Sequence, residues 1–333
     1  MAGAIQAFSP KEWKVAVVSD ATNAGDTGIG TTMNQLDVDS ISMPSLNPTQ
    51  VLDVRSGVGR TLKDEDVFQD NVLRVSEISL SGTLHNDTGH KLLLQNICND
   101  VSGDVAVSSN FTPASQNMVG DTAVTNAASS LTLVFQPSDV TNQQGMEFFG
   151  CVVTNFSISA DMTSEGGRYK WSATIQTGLK PDLASTATPT ITAYANTNIP
   201  LLSNASDVRI SDVSNMVLNS FTASIESPAV FSGAWTGGYE ITSRGAEIAV
   251  NVDAQVKYDA NTKGFISEFD TQTAANTAGN MFKIVNNNAY GILVTSGLFT
   301  NVALSEGDIM MLDCSIKAID DGSSDLISFD LTA

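Results

Sequence analysis

Charged side chains are scarce in this sequence of 333 residues, and cationic side chains are the scarcest. Lys and Arg number 16 against 36 Asp and Glu, so the formal net charge is −20. Charged residues make up 16% of the chain, where roughly 25% is usual. A protein that grips nucleic acid neutralises phosphates with Lys and Arg. The composition therefore argues against tight DNA binding.

Cysteines and long apolar runs are also few or missing. The three cysteines, Cys98, Cys151 and Cys314, are odd in number and far apart, which does not suit a disulfide framework. No run of about 18 apolar residues occurs, and residues 1–6 have neither the basic nor the apolar region of a signal peptide. We expect a protein made in a reducing compartment, not exported through the Sec pathway and without a membrane partner.

Motifs for catalysis or cofactor binding are absent as well. The two histidines, His85 and His90, have no further metal ligands at a recognised spacing, so a surface turn is predicted there. The glycines of residues 25–30 lack the lysine of a phosphate-binding loop, and the acidic residues 64–66 lack the spacing of a calcium loop. We expect no enzyme activity, no metal and no cofactor.

An internal repeat is the clearest feature that is present. Residues 150–176 align without a gap with residues 291–317 at an offset of 141, and seven of the 27 aligned pairs are identical. Earlier in each half, the pattern Ser-Ile-x-x-Pro occurs at residues 40–44 and again at 224–228. Chance is the alternative, because Ser, Thr, Gly and Val are abundant. The shared alternation of apolar and polar residues favours a duplication.

Alternating residues predict β-strands in both halves. Residues 169–176 place Trp171 and its apolar neighbours on one face of a strand, and the aligned residues 310–317 follow the same pattern. Alternation at 75–84 and 249–258, together with Gly- and Asp-rich turns, predicts an antiparallel sheet in each half. Two short helices are predicted, at residues 90–100 and near residues 271–282.

The predicted organisation has two domains. The first spans residues 1–178 and includes an N-terminal segment and a long polar loop near 101–126, which is expected to be an interacting arm. Residues 179–204, with three prolines among Thr, Ser, Ala and Asn, are predicted to be a linker. The second domain spans residues 205–333.

The strand pair resembles a known family. Residues 149–160, a Ser-Glu-Gly-Gly turn at 164–167 and residues 168–175 are similar to the paired-strand hairpin of the tail tube proteins of tailed, siphovirus-like bacteriophages. Residues 72–82 and the leucine-rich segment after them are similar to the preceding elements of that fold. The resemblance covers most of residues 35–177 and, more weakly, residues 217–319.

The resemblance implies a mainly β fold with two tandem antiparallel β-sandwich or barrel domains of tail-tube type, each with a short flanking α-helix. Such domains join their inner sheets into a barrel around a channel. Single-domain members form hexameric rings, and duplicated members form trimeric rings with pseudo-sixfold symmetry. The length, the linker and the 101–126 arm of this chain depart from the shorter members and leave the ring stoichiometry open.

The implied function is structural: a virion tail tube subunit that polymerises as stacked rings into the channel for DNA delivery. The implied partners are further copies of the chain, a tape-measure protein, tail-tip and terminator proteins, and double-stranded DNA that passes without tight binding. The implied location is the virion tail, after synthesis in the cytoplasm of the host bacterium.

The polar faces of the predicted strands are the candidates for the channel lining, with bulk solvent as the alternative surroundings. The candidates are Glu77, Lys170, Ser172, Thr174, Gln176, Asn251, Asp253, Gln255, Asp313, Ser315 and Lys317.

Two other functions stay open at this stage. A capsid decoration protein or an adhesion or binding module can also be acidic, β-rich and built from two domains. The tube of a contractile injection apparatus would share the fold. An enzyme is the function that the sequence favours least.

Overall fold

The structure is a computed structural model that describes most of the chain. The described residues are 12–20, 32–42, 49–52, 67–70, 75–98, 105–107, 130–141, 143–186, 188–194, 199–232, 241–244, 248–277, 279–286, 291–322 and 325–330. The glycine-rich residues 25–30, the acidic residues 64–66 and most of the 101–126 loop lie outside these ranges.

The chain is mainly β, as the sequence predicts. The first half forms β1 (Lys14–Ser19), β2 (Thr32–Gln35), β3 (Ser40–Ser42), β4 (Thr49–Leu52), β5 (Val67–Asp70), β6 (Ser76–Thr83), α1 (Thr88–Cys98), β7 (Val105–Val107), β8 (Leu131–Gln136), β9 (Gly145–Asp161), β10 (Lys170–Thr177), β11 (Asp182–Ser185) and β12 (Thr190–Thr192). The second half forms β13 (Ala205–Ile210), β14 (Leu218–Glu226), β15 (Ala229–Ser232), β16 (Ile241–Arg244), β17 (Ala249–Lys257), α2 (Gly264–Thr271), β18 (Phe282–Asn286), β19 (Gly291–Val294), β20 (Gly297–Ser305), β21 (Met311–Ala318) and β22 (Ile327–Asp330).

A long antiparallel sheet runs through both halves. Its strands pair in the order β3-β6-β10-β9-β14-β17-β21-β20, four from each half, and β9 and β14 join the halves. The order within the first half is repeated within the second. Flanking strands also repeat, with β1-β8-β9-β11 in the first half and β13-β18-β19-β22 in the second. This shared order supports the duplication.

The main hydrophobic core of the described residues lies on one side of the long sheet. Trp171 and Ile175 of β10 point into it, as do Val252 of β17 and Ile316 of β21. Side chains from both sets of flanking strands and from both helices belong to the same core. Because successive side chains of a strand point to opposite faces, the other face of the long sheet is left to polar residues.

Strand β9 belongs to two parts of the structure. Its first residues pair with β8 and β11, and its later residues pair with β10 and β14. Between them the register with β10 shifts, so that Thr154 is an extra residue on β9. Such a bulge bends a strand. In the second half, the corresponding path is divided into β19 and β20.

The gap-free alignment of the repeat is wrong at the second of its two strands. Ser157 pairs with Ser172, 15 residues later, whereas Leu298 pairs with Lys317, 19 residues later. The second hairpin is therefore four residues longer. Both turns contain the sequence Ser-Glu-Gly, so the sequences align there without a gap. The two Ser-Glu-Gly segments nevertheless lie at different positions relative to the paired strands, and the alignment therefore conceals the difference in length.

One of the two predicted helices is confirmed and the other is misplaced. Helix α1 covers most of the predicted residues 90–100, and the Asp87 carboxylate accepts from the His90 backbone N–H at 3.0 Å, as an N-cap does. Helix α2 ends where the second helix was predicted to begin. After it, Asn276 forms a bridge with Gly297 and Gln272 bonds to the backbone of Phe299. These bonds to β20 hold the segment outside a helix.

The segment predicted to be a linker packs against the first half. Strand β11 pairs with β9, and β12 pairs in parallel with β2. Pro181 and Pro189 directly precede these two strands, where a missing N–H is tolerated. The segment thus contributes edge strands, although its composition is typical of a linker.

Part of the predicted 101–126 arm reaches the second half. Strand β7 pairs with β22 over three residues, with Ile327 opposite Val107 and Phe329 opposite Val105. The first half therefore adds a strand to a sheet that otherwise belongs to the second half.

A polar sheet face as the candidate functional site

The predicted channel-lining residues lie on one face of the long sheet. Residues directly opposite each other in an antiparallel pair share a face. Within the first half, Gln176 lies opposite Glu77. Within the second half, Asp253 lies opposite Ser315. The full set on this face is Glu77, Lys170, Ser172, Thr174, Gln176, Asn251, Asp253, Gln255, Asp313, Ser315 and Lys317.

The faces of the two halves are continuous. Ser157 of β9 lies opposite Ser172 on one side and opposite Ser224 of β14 on the other. Ser224 in turn lies opposite Asn251 of β17. One row therefore crosses the long sheet from edge to edge. It consists of Ser40, Ser81, Ser172, Ser157, Ser224, Asn251, Lys317 and Leu298.

Several members of this face were missed by the sequence reasoning. They are Ser79 and Ser81 on β6, Ser157 and Ser159 on β9, and Thr222 and Ser224 on β14. Their alternation with buried residues was the available signal, since Ile78, Ile158 and Ala223 point into the core. The face is thus richer in hydroxyl groups than the predicted set alone.

Neutral donors hold most carboxylates of this face. Gln176 Nε2 donates to Glu77 at 2.9 Å, and Ser315 Oγ donates to Asp253 at 2.6 Å. Gln255 Nε2 donates to Asp313 at 2.8 Å. Each bond joins neighbouring strands, so the carboxylates are oriented by the sheet without needing a cation.

Among the described residues, Lys170 is the cation of this face that forms ion pairs. Its Nζ lies 2.9 Å from Glu165 and 3.2 Å from Asp39, and it donates to the Thr83 hydroxyl at 3.1 Å. Partial burial acts to lower the pKa of Lys170, but the hydrogen bonds and charges of Glu165 and Asp39 outweigh it and raise that pKa. The ammonium is therefore held in place and partly neutralised.

Formal charges on the face are few compared with the whole chain. The described strands contribute the carboxylates Glu77, Asp161, Glu226, Asp253 and Asp313 and the lysines Lys170, Lys257 and Lys317. The chain as a whole carries 36 acidic residues. The face is therefore mainly an uncharged hydroxyl and amide surface, and most of the negative charge lies elsewhere.

The halves meet at a junction formed by β9 and β14. The strands pair over seven positions, from Asp161 opposite Ser220 to Asn155 opposite Glu226. Behind the ladder, the ring of Tyr169 packs edge-on against Phe221 at 5.2 Å. Burial raises the pKa of Tyr169, so its hydroxyl stays protonated. The junction thus combines backbone pairing with a shared apolar core.

The outermost strands of the long sheet are β3 and β20. In the described part of the chain, β3 pairs with β6 as its one partner strand, and β20 pairs with β21. The start of β20 is also covered on its outer side, because Asn276 bridges Gly297 and Gln272 bonds to the backbone of Phe299. Strand β20 is nine residues long, and its later residues are mostly exposed, including Leu304. A long exposed edge with apolar side chains favours pairing with another strand.

Two hairpin arms extend from one end of the long sheet. Along the chain, the arm β4–β5 follows β3 and precedes β6, and the arm β15–β16 follows β14 and precedes β17. Since β3 and β14 are the first strands of their repeats, the arms occupy corresponding places. In the ranges described, each arm pairs only within itself.

The prediction of a surface turn at the histidines is wrong. His85 and His90 are each only 1% exposed. His85 Nε2 forms a hydrogen bond with Asp37 at 2.8 Å, and the ring of Tyr194 lies 4.6 Å from the His85 ring. His90 bonds to Asp87 at 2.8 Å. The cause is that residues 36–39 and 193–194, which the sequence does not place nearby, fold over this loop.

Other reactive groups are few in the described ranges. There, no group of three or more His, Cys, Asp and Glu side chains could hold a metal ion. Cys151 and Cys314 are buried, and desolvation raises the pKa of Cys151 well above its usual value and that of Cys314 to about 12. Neither described helix is long and apolar enough to cross a membrane.

Comparison with known proteins gave no match, either to a protein-family model or to a curated protein.

Proposed function

We propose that the protein is a structural subunit of a phage tail tube, which assembles as stacked rings around a channel for DNA. The observation that carries the proposal is the repeated order of strands in the long sheet. The junction β9–β14 joins the last strand of one repeat to the first strand of the next. The outermost strands, β20 and β3, are the last and first strands of their repeats, and residues 272–276 bond to the start of β20. The two strands are therefore suited to form the same junction between two copies.

Repeating the same junction leads to a closed ring. The rotation that relates the first half to the second half can be repeated from the second half to the first half of the next copy. The long sheets of several copies then form one barrel without edges. Three chains would supply six similar units. We propose this trimeric, pseudo-sixfold ring, with a hexamer of chains as the alternative outcome.

The position of the core supports the polar face as the lining of the proposed barrel. Flanking strands and helices lie on the apolar side of the long sheet, together with the hydrophobic core. Layers that need more room fit on the outer circumference of a barrel. The polar face, with Ser172, Thr174, Asn251 and their neighbours, is then directed to the channel.

The chemistry of that face suits passage of DNA without tight binding. Phosphates are held by clustered Lys and Arg, whereas this face offers hydroxyl and amide groups and few lysines. The Lys170 ammonium is already paired with Glu165 and Asp39. The proposed partners follow from this role. They are a tape-measure protein, tail-tip and terminator proteins, and passing double-stranded DNA, in the virion tail.

Electron microscopy of the purified protein at several concentrations, with sedimentation, tests the proposal. Rings or stacked tubes with a central channel are the expected result, and counting of subunits distinguishes three chains from six. A single ring that forms only on capsids would instead favour a decoration protein. Monomers at every concentration, also after addition of isolated tail-tip complexes, would contradict the tube.

A further inference from the structure

One end of the long sheet carries a group of exposed apolar side chains. At the end opposite the hairpin arms, five apolar side chains are 41–61% exposed. We name them the apolar rim. They are Met162, Val217, Leu304, Ile309 and Met310.

Backbone bonds show that members of the rim are neighbours across the sheet. Met162 N–H donates to Asn219 O, two residues from Val217. Val217 O accepts from Lys257 N–H, and Met310 O accepts from Tyr258 N–H. Leu304 lies opposite Leu312, beside the turn that contains Ile309. The rim therefore crosses the ends of β9, β14, β17, β21 and β20 as one surface.

In the first half, the turn that corresponds to Ile309 and Met310 is polar. Ser172 and Lys317 occupy the same row in their repeats, and Ser164 and Ile309 each lie eight residues before them. Ser164 thus corresponds to Ile309, and Glu165 corresponds to Met310. Glu165 forms an ion pair with Lys170. Four of the five rim residues belong to the second half, and Met162 follows β9 of the first half at the junction with β14.

The arm β15–β16 carries an exposed apolar side chain at the other end of the same strands. Two residues separate the arm from the end of β14, and Val230 of the arm is 50% exposed. The apolar rim lies at one end of the strands and the projecting arm at the other end. Contact between the arm of one copy and the rim of another is head-to-tail, so it can repeat from copy to copy as an open stack.

We infer that the arm β15–β16 of one copy docks on the apolar rim of a copy in the next ring, so that second halves stack on second halves. This inference rests on the proposed tube. A pseudo-sixfold ring can be placed on the next ring in two settings, with like or unlike halves in contact. Burial of Val230 against Ile309 and Met310 is favoured over burial against Glu165 and Lys170, because it leaves no charge without solvent. The rim thus selects one rotational setting.

Cysteine cross-linking tests the contact. The double variant V230C/I309C pairs the arm with the rim, and V230C/S164C pairs the arm with the corresponding turn of the first half. The native Cys98, Cys151 and Cys314 are buried, which keeps the background low. Mild oxidation of the assembled protein is followed by electrophoresis without reducing agent.

A ladder of covalent oligomers from V230C/I309C, with little from V230C/S164C and none from the single variants, is the expected result. Stronger cross-linking of V230C/S164C would overturn the like-on-like setting. Dimers from either single variant would indicate a symmetric contact and would also overturn it. Microscopy of the same samples distinguishes failure of the proposed tube from failure of the proposed contact. A ladder from particles without a channel would reject the tube and keep the contact. Tubes without a ladder would reject the contact and keep the tube.

Discussion

At the scale of single residues, neighbouring positions of β10 have opposite surroundings. Trp171 is 2% exposed, and its Nε1 donates to Asp37 O at 3.2 Å. The ring of His90 lies edge-on to it at 5.3 Å. Thr174 is half-buried on the polar face, between Ser79 and Asn155. Substitution at these two positions should therefore have very different effects on folding.

We predict that Trp171→Asp destabilises the protein strongly and that Thr174→Asp has little effect. The first change leaves a cavity and an unpaired buried charge, and loss of a buried Trp alone costs about 3–5 kcal/mol. The second places a carboxylate on a hydrated face. Urea unfolding of both variants measures the difference. Equal losses of unfolding free energy would reject the assignment of the two faces.

A pH effect is expected from Asp37. Its hydrogen bond with His85 holds the pKa of the carboxyl below the usual 3.8, although burial opposes this. A carboxyl with a lower pKa in the folded state contributes stability above its unfolded pKa, and that contribution is lost as the pH falls through the folded pKa. Wild-type stability should therefore drop below about pH 4 more steeply than that of Asp37→Asn.

Urea unfolding at a series of pH values measures this effect. Asp37→Asn should be less stable than wild type near neutral pH, and the difference should shrink in acid. Parallel curves for the two proteins would show that the Asp37 contact with His85 contributes nothing to the pH dependence.

At the scale of elements, α1 is tied to the bulge of β9. Asn96 is 1% exposed on α1, and its Oδ1 accepts from the Val153 backbone N–H at 2.8 Å. The extra residue Thr154 interrupts the β9–β10 ladder at this point. The helix side chain therefore satisfies a buried donor at the bend of the strand.

We predict that Asn96→Leu lowers the free energy of unfolding by about 1–3 kcal/mol, because a buried N–H loses its acceptor. Hydrogen exchange provides a local check, since the Val153 amide should lose protection while the amides of β17 keep theirs. Unchanged protection at Val153 would contradict the role of Asn96.

The strands were predictable where one face is buried and the other is polar. The alternation around Ile78, Trp171 and Val252 gave β6, β10 and β17, and with them the polar face. Local patterns did not reveal contacts between distant segments. The ladder of β12 with β2 and the bonds of Gln272 to β20 depend on such contacts. The linker and second-helix predictions failed for that reason.

The candidate site was predictable in part for the same reason. Periodicity identified which residues share the polar face, but it does not report strand order. The junction of β9 with β14, and with it the relation between the two outermost strands, becomes visible only in the folded chain. Burial of His85 and His90 was missed because the residues that cover them are distant in sequence.

At the scale of the whole molecule, the junction within the chain predicts the junction between chains in residue detail. Ser157 lies opposite Ser224 at the β9–β14 junction. Leu298 occupies the row position of Ser157 in the second repeat, and Ser40 occupies that of Ser224 in the first. Ring closure through β20 and β3 displaces Asn276 and Gln272 from the backbone of Gly297 and Phe299. It then places Leu298 of one copy opposite Ser40 of the next.

The double variant L298C/S40C tests whether the ring closes through β20 and β3. Oxidation of the assembled protein should give covalent oligomers that end at three chains, since opposite Cβ atoms of paired strands lie about 4.5–5.5 Å apart, and each single variant should give none. Assembled protein that stays monomeric on a gel without reducing agent, or that cross-links only as a dimer, would contradict ring closure through the two outermost strands.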